Sequence, residues 1–243
     1  MTKVILLNGP PRCGKDTLAE AMWNFNPSVF QEKFAAPLKE HAPQLYGVSR
    51  HDWKNNYDTP AQKDMPQSVF LGKSARQIQI ALSETFYKPL HGSDVFGRLL
   101  VSRVSRLPKL SGGPRIVVVS DSGFRDEAEA VVNHFGAEHT FLVRLYRTGS
   151  SYDGDSRGYI RLADMGVREI EYSNQSGVDV LARFGQHLLR VVGQPRLGPA
   201  EEGGAHEAEH PYQCRISKAW EVLLEHHLEE ERLKYNQPAY EGE

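Results

Sequence analysis

Val4-Ile5-Leu6-Leu7-Asn8-Gly9-Pro10-Pro11-Arg12-Cys13-Gly14-Lys15-Asp16-Thr17 begins as a short apolar run, turns through Gly9 and Gly14, and leads into an amphipathic stretch. Val4 to Leu7 reads as a buried strand, and residues 15–25 as a helix with Leu18, Met22 and Phe25 near one face. A strand, a glycine-bearing loop, then a helix with lysine directly after the second glycine is the spacing of a phosphate-binding loop. Glycines let the backbone curl so that several N–H groups converge on one anion. The helix N-terminus adds a dipole that favours negative charge, and Lys15 supplies a mobile cation for β- and γ-phosphates. Gly9, Arg12, Cys13, Gly14, Lys15, Asp16 and Thr17 are therefore the candidate set for a nucleotide's phosphates, with Mg2+ as their ion. Asp16 stands where Ser or Thr ordinarily meets that ion, so either Thr17 holds the metal or Asp16 does, directly or through water. Cys13 reads as a small filler, since no histidine stands near it in sequence to activate it.

Outward from this loop, apolar runs and amphipathic stretches alternate to residue 192. Residues 28–34 are a weaker strand candidate, and 37–46 a helix through Leu38, Ala42 and Leu45. The polar stretch 47–73 reads as an irregular excursion. Residues 74–86 fit a helix through Ala75, Ile78, Leu82 and Phe86, and 94–107 fit another. Ile116 to Val119 is a clear strand, 125–135 a helix, Thr140 to Val143 a strand, Glu169 to Tyr172 a short strand, and 177–192 a helix. Such alternation implies an α/β fold: a five-stranded parallel sheet with helices on both faces.

Asp121 follows the third apolar run, at the carboxyl end of a strand, where open α/β sheets bind ligands. It is a candidate to orient magnesium or to accept a proton from an acceptor hydroxyl; the alternative is a cap for the next helix. Glu127, one turn into that helix, reads as a surface or capping residue within reach of the same mouth. Arg144 ends the fourth strand. Arg147, Arg157, Arg161 and Arg168 lie in or beside the polar, glycine-bearing segment 147–167, which reads as a mobile lid supplying cations to a transferring phosphoryl group, or as a solvated loop. Arg98, Arg103, Arg106, Lys109 and Arg115 form a basic run that would line an acceptor groove, touch a polynucleotide backbone, or simply face water.

The 243 residues carry 29 Lys+Arg against 31 Asp+Glu, a net charge of −2 that excludes a generally basic nucleic-acid coat. No apolar run approaches the roughly 18–20 residues of a membrane span, so no membrane partner is expected. Two cysteines, Cys13 and Cys214, make no disulfide framework, which suits a reducing cytoplasm. Composition shifts at Gly193. Residues 1–192 read as the nucleotide-binding domain, 193–215 as a linker, and 216–243 as a tail whose Ile216, Ala219, Trp220, Leu223, Leu224 and Leu228 form a helical stripe. That stripe would pack on the core or pair two chains in a homodimer. His206, His210 and Cys214 match no tetrahedral metal spacing.

Taken together, these residues resemble the bacteriophage deoxynucleoside monophosphate kinases, a branch of the P-loop kinases. Gly14-Lys15-Asp16-Thr17 resembles the family's phosphate loop, its unusual Asp included. Phe34-Ala35-Ala36-Pro37-Leu38-Lys39, Ser74-Ala75-Arg76-Gln77, Val119-Ser120-Asp121 with Glu127, and Gly136-Ala137 through Val143-Arg144 resemble four further segments over about residues 2–192. The resemblance implies a P-loop kinase fold, Arg76 holding the acceptor, and Arg144 on the nucleotide side. It implies transfer of the ATP γ-phosphate to a deoxynucleoside monophosphate, with Lys15, Asp121, Arg76 and Arg144 as the catalytic set. There are departures: Leu82-Ser83-Glu84 replaces a Gly-Thr-Asp, and Gly123 stands where the family often carries Arg, with Arg125 the nearest. Both fall where an acceptor phosphate would be gripped. They suit a related phage enzyme class that phosphorylates the hydroxymethyl group of 5-hydroxymethyluracil in DNA, for which hydroxymethyluracil-containing DNA is the partner. A P-loop nucleotide switch is the reading outside the kinases.

Overall fold

The computed structural model describes residues 1–108 and 115–193. The linker and tail expected beyond residue 193, with His206, His210 and Cys214, lie outside the described residues, as does Lys109.

Five strands form one parallel sheet in the order β2-β3-β1-β4-β5: β1 Thr2–Asn8, β2 Val29–Glu32, β3 Arg115–Ser122, β4 Thr140–Tyr146 and β5 Arg168–Ser173. This is the α/β sheet that the alternation implied. The loop Gly9–Gly14 leaves the central strand, so the first helix starts at the carboxyl edge of the sheet. Because side chains alternate along a strand, Val4, Leu6, Val117, Val119 and Leu142 face one way. There they meet Phe96, Leu100 and Val104 of α6 (Val95–Arg106) and Ala128, Val131 and Val132 of α7 (Arg125–Phe135). The opposite residues, among them Ile5, Leu7 and Val143, are equally buried. That face is served by α1 (Lys15–Phe25) and α8 (Val178–Gly193), which cross closely at Gly185, where a Cβ would stand 3.0 Å from Met22 Cγ. Phe184 of α8 stacks on Tyr172 of β5 at 3.9 Å.

Helices α6 and α7 pack closest at Gly97. A methyl group there would overlap the Glu127 carbonyl oxygen and stand 2.8 Å from Ala130 Cβ. Gly97→Ala is therefore expected to wedge the two helices apart and cost about 1–3 kcal/mol of stability, the scale of an overpacked core. Urea unfolding reads this directly. An unchanged midpoint would show that the helices can separate without loss.

The stretch 47–73 differs from the irregular excursion expected. After α2 (Ala36–Leu45) comes α3 (Arg50–Asp52), a π-helical turn Trp53–Tyr57 and a 3-10 turn Ser68–Phe70, before α4 (Ala75–Leu82). Trp53 and Phe70 are fully buried with Ala42, Ala75 and Ile78, flanked by Tyr46 and Tyr57, so the excursion closes over a second small core. Ser74 opens α4 with a capping box, its side chain accepting from Gln77 N while Gln77 Oε1 accepts from Ser74 N. A π turn, Ser83–Tyr87, then joins α4 to α5 (Lys88–His91). Its wider turn shifts the apolar stripe by one residue. Tyr87 is buried in place of the expected Phe86, which is 50% exposed.

The segment 147–167 also departs from expectation. Ile160, Leu162 and Val167 are buried in the main core, so its second half is a cover on the sheet and not a lid. Asn8, fully buried at the end of β1, pins it. Nδ2 donates to Ser122 O (2.9 Å), Gly158 O (2.9 Å) and Tyr152 Oη (3.1 Å), while Oδ1 accepts from Ile160 N (3.2 Å). The basic run is largely used internally. Arg115 donates to the carbonyls of Val104 and Leu107 at the end of α6, Arg103 pairs with Glu32, and Arg98 pairs with Asp94. No helix among the described residues is long and apolar enough to cross a membrane.

Candidate active site

The loop between β1 and α1 takes the shape its glycines allow. Gly14 has φ 105°, in the left-handed region, and a Cβ there would lie 2.5 Å from Asn174 Nδ2. At Gly9 a Cβ would lie 2.6 Å from Leu145 O. Arg12 carries the strain of a positive φ without being glycine, at 66°, and its side chain is exposed. Asn174, beyond β5, clamps the loop from below by donating to Cys13 O at 2.9 Å.

Lys15 folds back across this curve. The residue is 8% exposed, and its ammonium donates to Gly9 O at 2.6 Å and Pro10 O at 2.7 Å, with Cys13 Sγ at 3.7 Å. Two of its three donors thus hold the loop, and the third faces only a weak thiol acceptor. Burial lowers the Lys15 pKa, the Cys13 sulfur opposes this, and the Arg157 guanidinium lowers it further. Burial raises that of Cys13, which suits a filler.

The N–H groups of Gly14, Asp16 and Thr17 donate to no described residue. They are the open amides of an 11-residue helix N-terminus. With the buried ammonium they form a donor set that fits the phosphates of a nucleoside triphosphate. For magnesium the residues offer less. Among the described residues no group of three or more His, Cys, Asp or Glu could hold a metal. Thr17 is half-buried with an unengaged hydroxyl. Asp16 Oδ1 accepts from Lys33 Nζ and from Ser120 Oγ, both at 2.7 Å. Burial would raise the Asp16 pKa, but the Lys33 ammonium and the Ser120 hydroxyl hold it below the usual carboxylate range. This suits an ion carried mainly by phosphates and water, with Thr17 and Asp16 at its edge.

Asp121 is placed differently from either reading of it. Its Oδ1 accepts from Phe34 N at 2.8 Å and its Oδ2 from Ala35 N at 3.0 Å. A register shift in β3 between the partners of Leu6 and Asn8 inserts an extra residue there, and bulges of this kind re-aim side chains. The carboxylate joins the end of β3 to the segment after β2; α7 itself has Phe124 at its cap, without a side-chain bond.

Arg144 is 3% exposed and faces the cover. It pairs with Glu169 Oε2 at 2.7 Å and Glu171 Oε1 at 2.8 Å, and donates to Ile160 O at 3.0 Å. These bonds commit two of its three nitrogens to structure. Arg76, in the first turn of α4, pairs with Asp64 at 2.5 Å and lies within electrostatic reach of Asp155.

The arginine whose charge acts on the loop lysine is Arg157. Asp155 grips it at 2.6 Å, and hydrogen bonds from Arg157 hold Asp155 down at about 2. Its stem fills the space beside Gly123, where a Cβ would meet Arg157 Cγ at 2.6 Å. Its charge acts on Lys15, Asp121 and Glu127. Sequence reasoning had it only as one of several lid arginines, and an Asp two residues before an Arg was the available signal. Lys33, Asn8 and Asn174 were missed altogether. Glu127 is not on the surface, as expected, but 3% exposed, and the charges of Arg157 and Lys88 act on it.

No family model matches the chain. A curated orotidine 5'-phosphate decarboxylase from Methylobacterium sp. (strain 4-46) is 35% identical over 98 residues, 37% of this chain and 41% of that enzyme. The chain thus spans about two fifths of that relative's length. Among solved structures, it is similar to a sugar kinase from Janibacter sp. HTCC2649, with TM-score 0.39 and 11% identity over 80% of this chain and 99% of that one. It is also similar to the shikimate kinase of Acinetobacter baumannii (TM-score 0.39, 11% identity, 79% and 93%). A third likeness is to the dephospho-CoA kinase of Campylobacter jejuni (TM-score 0.38, 11% identity, 79% and 98%).

Proposed function

We propose that this protein is an ATP-dependent phosphotransferase acting on a deoxynucleotide, either free as the monophosphate or as a hydroxymethylated base within DNA. The observation that carries this is the loop Gly9–Thr17, where open amides and a buried ammonium converge at the carboxyl end of a parallel sheet. The open N–H groups of Gly14, Asp16 and Thr17 bind phosphate oxygens. Lys15 trades its thiol contact for one of them. Thr17 and Asp16 would hold a magnesium ion, which would supply positive charge to the donor phosphates. Arg157, braced by Asp155, offers a guanidinium to charge developing on the transferring group, a role expected from the sequence of Arg144 together with one or more arginines of segment 147–167. Arg76 orients the acceptor. In such transfer, positioning and electrostatics supply nearly all the catalysis.

The monophosphate reading rests on the resemblance of residues 2–192. The hydroxymethyl reading is favoured by Gly123, which offers no side chain to a second phosphate. Calorimetry with magnesium–ATP, followed by γ-labelled ATP with a panel of deoxynucleotides and hydroxymethyluracil DNA, tests both. Label in a nucleoside diphosphate supports the first, and label in DNA the second. No ATP uptake removes the proposal, and free phosphate alone points to a switch.

A further inference from the structure

The geometry points to Glu127 as the group that takes the proton from the acceptor, and hence to a neutral hydroxyl, not a phosphate monoester, as the acceptor class. This rests on the phosphotransferase reading and narrows it.

Two carboxyls stand near the carboxyl end of β3. Asp121 is spoken for, each oxygen accepting a backbone amide. Glu127, in the first turn of α7, is 3% exposed and has no side-chain hydrogen bond among the described residues. The residue is nearly enclosed, yet its carboxyl oxygens are not sealed from solvent, which leaves them open to a bound group. The charges facing it are Asp121 from β3, Lys88 from α5, Arg157 from the cover and Asp126 from its own helix. Lys88 is itself held, by Glu84 at 2.7 Å and over the Phe124 ring at 4.2 Å. Glu127 stands one helical turn after Gly123, whose free space the Arg157 stem fills, and the next residue, Gly158, bonds to Gly123 and to Asn8 at the end of β1, so the residue starts α7 at the edge of the sheet from which the Gly9–Gly14 loop leaves. Burial first, then the charge of Asp121, raises its pKa to about 8, against the pull of Lys88 and Arg157. A base is most effective when its proton affinity lies near the working pH.

The chemistry then separates the acceptors. A phosphate monoester, with a second pKa of about 6, already presents an oxyanion at neutral pH and has no proton to lose. A hydroxyl does. The hydroxyl proton passes to a Glu127 carboxylate oxygen as the acceptor oxygen bonds to the γ-phosphorus of ATP. The bond from that phosphorus to the β,γ-bridging oxygen breaks, and its electron pair leaves with ADP.

The test uses the full chain with magnesium–ATP, wild type against Glu127→Gln and Glu127→Asp. The acceptors are deoxynucleoside monophosphates, deoxynucleosides and duplex DNA carrying 5-hydroxymethyluracil. Transfer to a hydroxyl is expected, with kcat/KM rising with pH and levelling above about 8. Glu127→Gln should lower kcat by about 10²–10⁴-fold, abolish that limb and leave ATP affinity unchanged. Glu127→Asp should restore a limb. Folding gives a second readout. The folded chain holds this proton more tightly than the unfolded chain, whose carboxyl titrates near about 4.3. The stabilisation is therefore full below that pH and lost as pH rises through about 8. The thermal midpoint of wild type should fall more between pH 6 and pH 9 than that of Glu127→Gln. Nucleoside diphosphate as sole product, or a limb that survives Glu127→Gln, overturns the inference. ATP binding without transfer to any acceptor overturns the phosphotransferase reading beneath it.

Discussion

Lys15→Ala is expected to lower phosphoryl transfer by about 10²–10³-fold, the cost of removing one preorganised donor from a developing anion, and to weaken magnesium–ATP uptake by calorimetry. The ammonium is nearly buried, and its bonds to Gly9 O and Pro10 O fix it inside the loop. A cation held in such a place costs no reorganisation when phosphate arrives, and it acts through a lower dielectric than water. The burial that makes it effective also lowers its pKa, and a bound phosphate would reverse that shift. Removing the side chain leaves two carbonyls unpaired, a loss of about 1–3 kcal/mol, partly offset because a desolvated charge goes with it. The variant should therefore still unfold cooperatively. A folded Lys15→Ala with full turnover would leave the loop without its assigned role.

That loop was legible because its residue types are dictated by backbone chemistry at fixed spacing. The strands were legible because a parallel sheet buried on both faces needs uninterrupted apolar runs such as Val4 to Leu7 and Ile116 to Val119. What escaped lies where packing is set by tertiary partners. Trp53 and Phe70 are isolated aromatics in a polar stretch with no periodicity, yet they form a core between them. Ile160 and Leu162 were read as lid because the glycines and charges around them dominate the composition, although their two-residue spacing was a signal. The direction of Asp121 could not be read, since it follows from a register shift between two strands far apart in sequence. Glu127 was misread because helix-start acids usually face water. It lies where α7 packs closely on α6 at Gly97, an approach between segments far apart in sequence.

Arg144→Met should cost about 3–5 kcal/mol of stability, because removing one partner of a buried ion pair leaves the other uncompensated. The methionine replaces much of the buried stem but none of the charge. Glu169, mostly buried, loses the guanidinium at 2.7 Å, and Glu171 the one at 2.8 Å. The loss propagates, since Glu169 Oε1 also accepts from Leu162 N at 2.5 Å and Ala163 N at 2.9 Å, and Arg144 itself donates to Ile160 O. One side chain thus ties β4 to β5 and to the cover that Asn8 holds from the other side. Glu171→Gln, at the more exposed partner, should cost far less, within about 1 kcal/mol. Urea unfolding separates this from a catalytic role. A direct contact with the transferring phosphoryl predicts lost turnover at unchanged stability, whereas the ion-pair hub predicts lost stability, with ATP affinity near wild type under conditions where the variant is folded. The first pattern would return Arg144 to the catalytic set. The second leaves Arg157 as the arginine proposed for that role, because its charge acts on Lys15.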